Sequence, residues 1–291
     1  MAPILLTQSP LLNLQPRPPL PIPSHPSAAS SSSNAPLSPP SLQVSISSPP
    51  STTSKSNTSD MQPAISHLSS LQHLRIEHIP SLKTVPIASS LESLSLYDLS
   101  LVSPLSIPNI LTLQKLRILT LHTLPLLSPL PPSITALPHL QRLHLSHMKI
   151  SNLPEDLGQM QGLCVLTIDN APKLSTLPAS LTLLTSLQHL MVTDCEIFSS
   201  LPEGFGNLAS LLTLTLNDLP LLLKLPAAVS HLASLQVLDV QECKNLSELP
   251  EGLESARSLR EVYLERCTQL GELPEPLLAQ AGRIQVNARD S

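Results

Sequence analysis

Apolar positions along most of this chain recur with a step of about two dozen residues, and each step keeps one internal spacing. Across residues 113–273 the pattern is L-x-x-L-x-L-x-x-C/L/A-x-x-L-x-x-L-P-x-x-L-x-x-L. The second aliphatic residue of its L-x-L core falls at Leu121, Leu145, Ile168, Val192, Leu216, Val240 and Leu264, at steps of 24, 23, 24, 24, 24 and 24. Toward the N-terminus, Leu74-Arg75-Ile76 and Leu94-Ser95-Leu96 read as earlier turns of the same pattern, with steps of 20 and 25 marking insertion or decay. Arg283-Ile284-Gln285-Val286 reads as a degenerate last turn.

The L-x-L triplet alternates in and out as a strand does. A proline follows Leu130, Leu153, Leu177, Leu201, Leu225, Leu249 and Leu273, and proline at every step breaks a long helix. The L-P-x-x-L-x-x-L half is therefore expected to be an extended or short helical return. One such unit has too few aliphatic side chains to offset the entropy of ordering it. Stacked units share one continuous core, so the chain must fold as an array. The expectation is an α/β solenoid of about nine repeats plus a degenerate C-terminal cap, with parallel strands lining its concave side and right-handed connections. Leucine is about a fifth of all residues, aromatic residues are 1% and tryptophan is absent, so the interior is expected to be almost wholly aliphatic.

Composition separates residues 1–62 from this domain at 63–291. The first segment is rich in Ser and Pro, with runs such as Ser30-Ser31-Ser32-Ser33 and Pro49-Pro50, and has no acid before Asp60. Such a stretch cannot bury enough apolar surface to order itself and is read as a disordered tail. Three roles stand open for it: a chloroplast transit peptide with only Arg17 and Lys55 as basic residues, a bacterial secretion tail, or a flexible linker. Ile4-Leu5-Leu6 is too short for a secretory signal core, and no segment reaches the apolar length of a membrane span.

Cys195, Cys243 and Cys267 each sit three residues after the second core aliphatic, where other units have Leu124, Ala171 or Leu219. Positions a full repeat apart do not converge as four metal ligands must, so these thiols are expected to point inward, as small hydrophobes with a weak donor for turn carbonyls. Cys164, at a variable position, is expected to be exposed. Unpaired cysteines point to a reducing compartment, with the cytoplasm favoured and the chloroplast as the alternative.

The units at 187–211 and 235–259, of the form LxxLxVxxCxxLxxLPxxLxxLxxL, resemble the intracellular class of leucine-rich repeat found in plant disease-resistance receptors. They are also similar to repeats in effectors that plant-pathogenic bacteria inject. The resemblance covers about 64–291 and implies a leucine-rich-repeat horseshoe that binds protein, in defence recognition or as a signalling scaffold. The rival readings are a targeting subunit or injected effector that delivers an enzyme such as a ubiquitin ligase, and a fragment of a receptor. The extracellular form of the repeat, GxIPxxLGxLxxL, is missing, and no G-x-x-x-x-G-K-S/T phosphate loop occurs.

Catalytic signatures are equally sparse. There is no G-x-S-x-G, H-E-x-x-H or C-x-x-C among these residues, so the chain is read as non-enzymatic, with no cofactor and no metal. His144 and His147 are placed on the solvated strand face and just past it. Asn57-Thr58-Ser59 and Asn245-Leu246-Ser247 fit the glycosylation tripeptide by chance.

Charge is unevenly placed, with a formal +4 over residues 1–150 and −9 over 151–291. Non-core residues in and after each L-x-L strand are expected on the concave face. In the C-terminal units these are Asp169 and Asn170, Thr193 and Asp194, Asn217 and Asp218, Asp239, Gln241 and Glu242, and Tyr263 and Glu265 with Arg266. They form an acidic column suited to a protein or peptide with a basic surface. In the N-terminal units the matching places hold Arg75, His78, Arg117, His122, Arg142, His144 and His147, which are expected to charge further below about pH 6. Nucleic acid is an unsuitable partner for an acidic half without stacking aromatics, and no membrane partner is expected.

Overall fold

The computed structural model describes residues 5–6, 42–47, 70–104, 107, 110–280 and 282–288. Among them one 12-stranded sheet runs in sequence order: β1 (Leu5–Leu6), β2 (Leu42–Ser47), β3 (Leu71–Glu77), β4 (Ser93–Tyr97), β5 (Ile118–His122) and β6 (Arg142–Ser146), then β7 (Val165–Asp169), β8 (His189–Thr193), β9 (Thr213–Asn217), β10 (Val237–Asp239), β11 (Glu261–Tyr263) and β12 (Gln285–Asn287). β1 pairs with β2 antiparallel, and β2 through β12 pair in parallel, each strand with its neighbour in sequence. The register aligns repeat equivalents, as in Leu166↔Leu190 and Ile168↔Val192. Such pairing without crossovers is what a coil of one strand and one return per turn produces.

From β3 to β11 the two core residues of each coil point to one side, and both are fully buried in most coils, as in Leu94 and Leu96 or Leu190 and Val192. These belong to one continuous hydrophobic cluster that runs from Leu71 to Ile284. Each buried leucine stabilises the coil by about 1.5–3 kcal/mol relative to exposure. The two phenylalanines, Phe198 and Phe205, replace aliphatic rungs and are both fully buried.

Two backbone devices recur beside the core. The carbonyl of the residue just ahead of each strand from β4 to β10 accepts two successive N–H groups from the next coil: Glu92 from Arg117 and Ile118, Gln141 from Cys164 and Val165, and Leu212 from Gln236 and Val237. After the strand, His78, Asp98, Thr123, His147, Asn170, Asp194, Asp218, Glu242 and Arg266 all have positive φ, between 48° and 60°. In this conformation eight of the nine, His78 through Glu242, send the N–H to a carbonyl in the following coil, as Asp194 does to Asn217 at 3.1 Å. The strain of a left-handed non-glycine residue is thus offset by a hydrogen bond between coils.

The return segments are short 3-10 turns, such as Pro132–Ala136, Ala179–Leu183 and Ala227–His231, with one helical turn at Glu275–Leu278. The recurrent prolines Pro178 and Pro226 stand immediately ahead of such turns at φ −64°, where a missing N–H is harmless. Within the turn one position alternates between hydroxyl residues and glycine. Thr135 and Thr182 bond back to the Pro132 and Ala179 carbonyls at 2.8 Å. At Gly158 an added Cβ would fall on the Ser180 carbonyl of the next coil, and at Gly206 it would lie 2.8 Å from the Ala228 oxygen.

The inward thiols are as the repeat frame implies. Cys195, Cys243 and Cys267 are buried and unpaired, and the Cys243 and Cys267 thiols donate to the Leu216 and Val240 carbonyls of the preceding coil, both at 3.0 Å. Burial pushes Cys195 up to about 11 and Cys243 up to about 12, which keeps them protonated and unreactive. Cys164 is only half-exposed, since it sits at the lip just ahead of β7.

Most of residues 1–62 lies outside the described residues, together with the expected boundary at 62/63. Within that range the sheet continues: β2 aligns Val44 with Leu74 and Ile46 with Ile76, so Leu-x-Val-x-Ile at 42–46 holds the register of a repeat strand. At the C-terminal side, the Arg283 guanidinium donates to the carbonyls of Glu254 at 2.6 Å, Ala256 at 2.8 Å, and Arg257 and Leu259 at 3.2 Å. These carbonyls of the preceding coil thereby gain charge-assisted donors.

Two substitutions test this account. Gly158→Ala should lower unfolding stability by about 1–3 kcal/mol in chemical denaturation, because the methyl has only backbone to displace. Arg283→Ala should cost about 1.5–3 kcal/mol and speed hydrogen exchange in β11 and β12 ahead of the central strands.

Candidate functional site

The sheet face opposite the core presents four parallel columns of side chains, one residue per coil. Three come from the outward positions of the strand and the fourth from the left-handed residue after it. Asp169, Thr193, Asn217, Gln241 and Glu265 form the column at the strand end, and Asn170, Asp194, Asp218, Glu242 and Arg266 form the left-handed column. Asp239 and Tyr263 pair directly in the mid-strand column. The candidate site residues therefore share one face, although they divide among three columns.

Hydrogen bonds link neighbours across coils. The Asp169 carboxylate accepts from Ser146 at 2.8 Å and from Thr193 at 2.9 Å. Asn217 donates to Asp239 at 3.2 Å and accepts from the Gln241 backbone N–H at 3.1 Å. Glu242 pairs with Arg266 at 3.0 Å. The Tyr263 hydroxyl donates to Glu261 at 2.6 Å, and that bond to a carboxylate holds its ionisation up at about 12.

The acids repel one another. Asp194 is raised above the ordinary aspartate value by partial burial and by the charges of Asp169, Asp218 and Glu242. Asp239 is raised by burial, which outweighs the hydrogen bonds from Asn217 and Gln241 that favour its charged form. Both shifts mean that this face resists its own negative charge.

The N-terminal coils differ from the expectation of a basic column among neutral residues. Asp98 occupies the same left-handed place as Asp194, and it lies 3.0 Å from His78 Nε2 and 3.5 Å from His122 Nδ1. Arg75 pairs with Glu77 at 2.9 Å and stacks over the Tyr97 ring at 4.1 Å. Tyr97, His122 and His147 continue as a ring stack, with centroids 5.4 and 4.8 Å apart. Carboxylates therefore stand among the basic residues there, in place of neutral ones. His144 corrects a second expectation. It is half-buried, and burial together with the Arg142 charge lowers its proton affinity, as it does for His189, so both bind a proton less readily than a free imidazole. Tyr97 and Asp98 were legible by the same offset from the core that identifies Asp169 and Asp194.

Among the described residues no cluster of His, Cys, Asp or Glu is disposed to hold a metal ion, and no helix is long and apolar enough to cross a membrane. The face offers hydrogen-bonding groups and charge on a broad, open sheet, which is the chemistry of docking another chain.

The Leucine Rich Repeat family model matches residues 186–208. No curated protein matches the chain. Among solved structures, the leucine-rich repeat domain of the type III effector XCV3220 (XopL) is 24% identical with a TM-score of 0.39, covering 57% of this chain and 74% of that one. The LRR protein LIC12759 of Leptospira interrogans is 24% identical with a TM-score of 0.47, covering 76% and 74%. The plant peptide hormone receptor RGFR1, in complex with RGF2, is 20% identical with a TM-score of 0.43, covering 77% of this chain and 45% of that one. The two-dozen-residue period, the in-register parallel strands with their shared aliphatic spine, and the matched unit at 186–208 together make this chain a leucine-rich-repeat protein.

Proposed function

We propose that this protein is a non-catalytic binding module whose concave C-terminal coils dock a protein or peptide with a basic surface. The observation that carries this reading is the raised proton affinity of Asp194, caused in part by Asp169, Asp218 and Glu242 on the adjacent coils. Like charges stacked on three successive coils oppose folding, and Arg266 beside Glu242 is the one arginine or lysine paired with them among the described residues. A lysine- or arginine-rich partner laid along the column relieves that repulsion and is steered toward it before contact. Asp169, Asn170, Asp194, Asn217, Asp218, Asp239, Gln241, Glu242, Tyr263 and Glu265 are the contact residues under this reading. The likeness of the repeat unit to the intracellular class in plant disease-resistance receptors supports a place in defence recognition or as a signalling scaffold. The four unpaired cysteines support a reducing compartment such as the cytoplasm.

Replacing Asp194, Asp218 and Glu242 by Lys should weaken binding of a lysine-rich peptide at least tenfold and flatten its salt dependence, as read by fluorescence anisotropy. Unchanged affinity in that triple variant would contradict the proposed surface. The repulsion itself has a separate signature. A carboxylate that binds protons more readily folded than unfolded makes stability fall as pH rises from the unfolded aspartate value of 3.8 through its raised folded value. Asp194→Asn should therefore raise the melting midpoint more at pH 7 than at pH 3. Any gain from the ease of asparagine with a left-handed backbone is equal at both.

A further inference from the structure

The residue just ahead of the buried leucine that leads into each strand follows a rule. Serine or glycine holds this place at Ser90, Gly162, Ser186, Ser210, Ser234 and Ser258. Ser90 donates to the Leu71 carbonyl at 2.6 Å, and Ser234 and Ser258 donate to the Ala209 and Ala233 carbonyls at 2.7 Å. A small hydroxyl here ties one coil to the one before. Lys115 and His139, both exposed, break the rule in consecutive coils.

These two residues, with Arg117, Gln141 and Glu92, line a cleft of about 350 Å³ at the lip where the chain enters β5 and β6. The backbone beneath it is fixed, because the carbonyls of Glu92, Arg117 and Gln141 each accept two N–H groups from the next coil. Glu92 is held from one side by Gln72 at 3.2 Å and lies 4.0 Å from Arg117 Nε, so it offsets part of one cationic charge. Lys115 has no carboxylate within ion-pair distance among the described residues. The cleft thus gathers an ammonium, a guanidinium fork, an imidazole and a carboxamide around one partly neutralised acid.

We propose that this lip cleft binds a phosphate monoester carried on a peptide side chain. The two permanent cations outnumber the one carboxylate, so the cleft is net positive and suits an anion, and a phosphate monoester carries about −1.5 to −2 at neutral pH. Its three oxygens match the guanidinium fork and the lysine and amide donors. The volume lies at the small end of ligand cavities, which favours a compact anion. The site stands at the strand entry, apart from the acidic column, so it does not depend on the binding proposed for that face.

The test uses the full chain, with inorganic phosphate and an alanine-flanked phosphoserine pentapeptide as probes and the unphosphorylated pentapeptide as control, followed by amide shifts in NMR. Both phosphorylated probes should perturb His139 and Gln141, the phosphopeptide more tightly than phosphate, and the control should perturb neither. Lys115→Ser with His139→Ser restores the residue that other coils use, so it should keep the melting midpoint and lose at least tenfold in phosphopeptide affinity. Arg117→Gln, which leaves the serine-position residues in place, should lose affinity as well. The lysine variant of Asp194, Asp218 and Glu242 should bind the phosphopeptide as the native chain does. Phosphopeptide affinity unchanged in the Lys115/His139 variant, or equal affinity for both peptides, overturns the proposal. Phosphate that binds as tightly as the phosphopeptide overturns the peptide-borne ligand.

Discussion

Each coil buries its leucines against the equivalents in the coils before and after, and no coil has a closed interior of its own. This mutual burial is the constraint on which everything else in the molecule depends. It sets the rise between coils, and that rise sets the distances over which the lip carbonyls and the left-handed N–H groups find their partners in the next turn. At the C-terminal side, where the repeat pattern degenerates, the Arg283 guanidinium supplies donors to the carbonyls of the coil behind it.

With the inward positions fixed by packing, variation is confined to the outward ones. There the coil spacing becomes an amplifier, because any residue type repeated at one offset becomes a column. Acids at the left-handed place line up in Asp194, Asp218 and Glu242, and the rings of Tyr97 and His122 line up at the strand end. Binding chemistry in this fold is written by vertical neighbours that are distant in sequence. A single charged residue on such a face says little, whereas acids in line raise the proton affinity of Asp194.

Departures from the repeat rule carry the same information in negative form. Serine at the lip has a structural task, donating to the coil behind it, and Lys115 and His139 give that bond up side by side. Gly158 and Gly206 are departures of the opposite kind: a neighbouring carbonyl occupies the space of a side chain, and the demand is structural. The two kinds are told apart by what stands next to them, open cleft in one case and packed backbone in the other.

The residue string alone was sufficient for the parallel array, its period, its inward thiols and the face on which Asp169, Asp194 and Asp218 lie, because burial in a repeating coil imposes one spacing at every turn. It was sufficient for Tyr97 and Asp98 too, had the same offset been carried into the coils where the steps of 20 and 25 blur the frame. Folding decided what depends on distance between coils. Asp98 lies within 3.5 Å of His78 and His122, burial lowers the proton affinity of His144 and His189, and Arg283 reaches four carbonyls 24 to 29 residues behind it. The strand at Leu42–Ser47 also joins the sheet from within a Ser/Pro-rich stretch whose composition hides it. Periodicity reports which side of the chain meets the core, but ionisation and hydrogen bonding depend on separations of a few ångströms, and only the stacked coils set those.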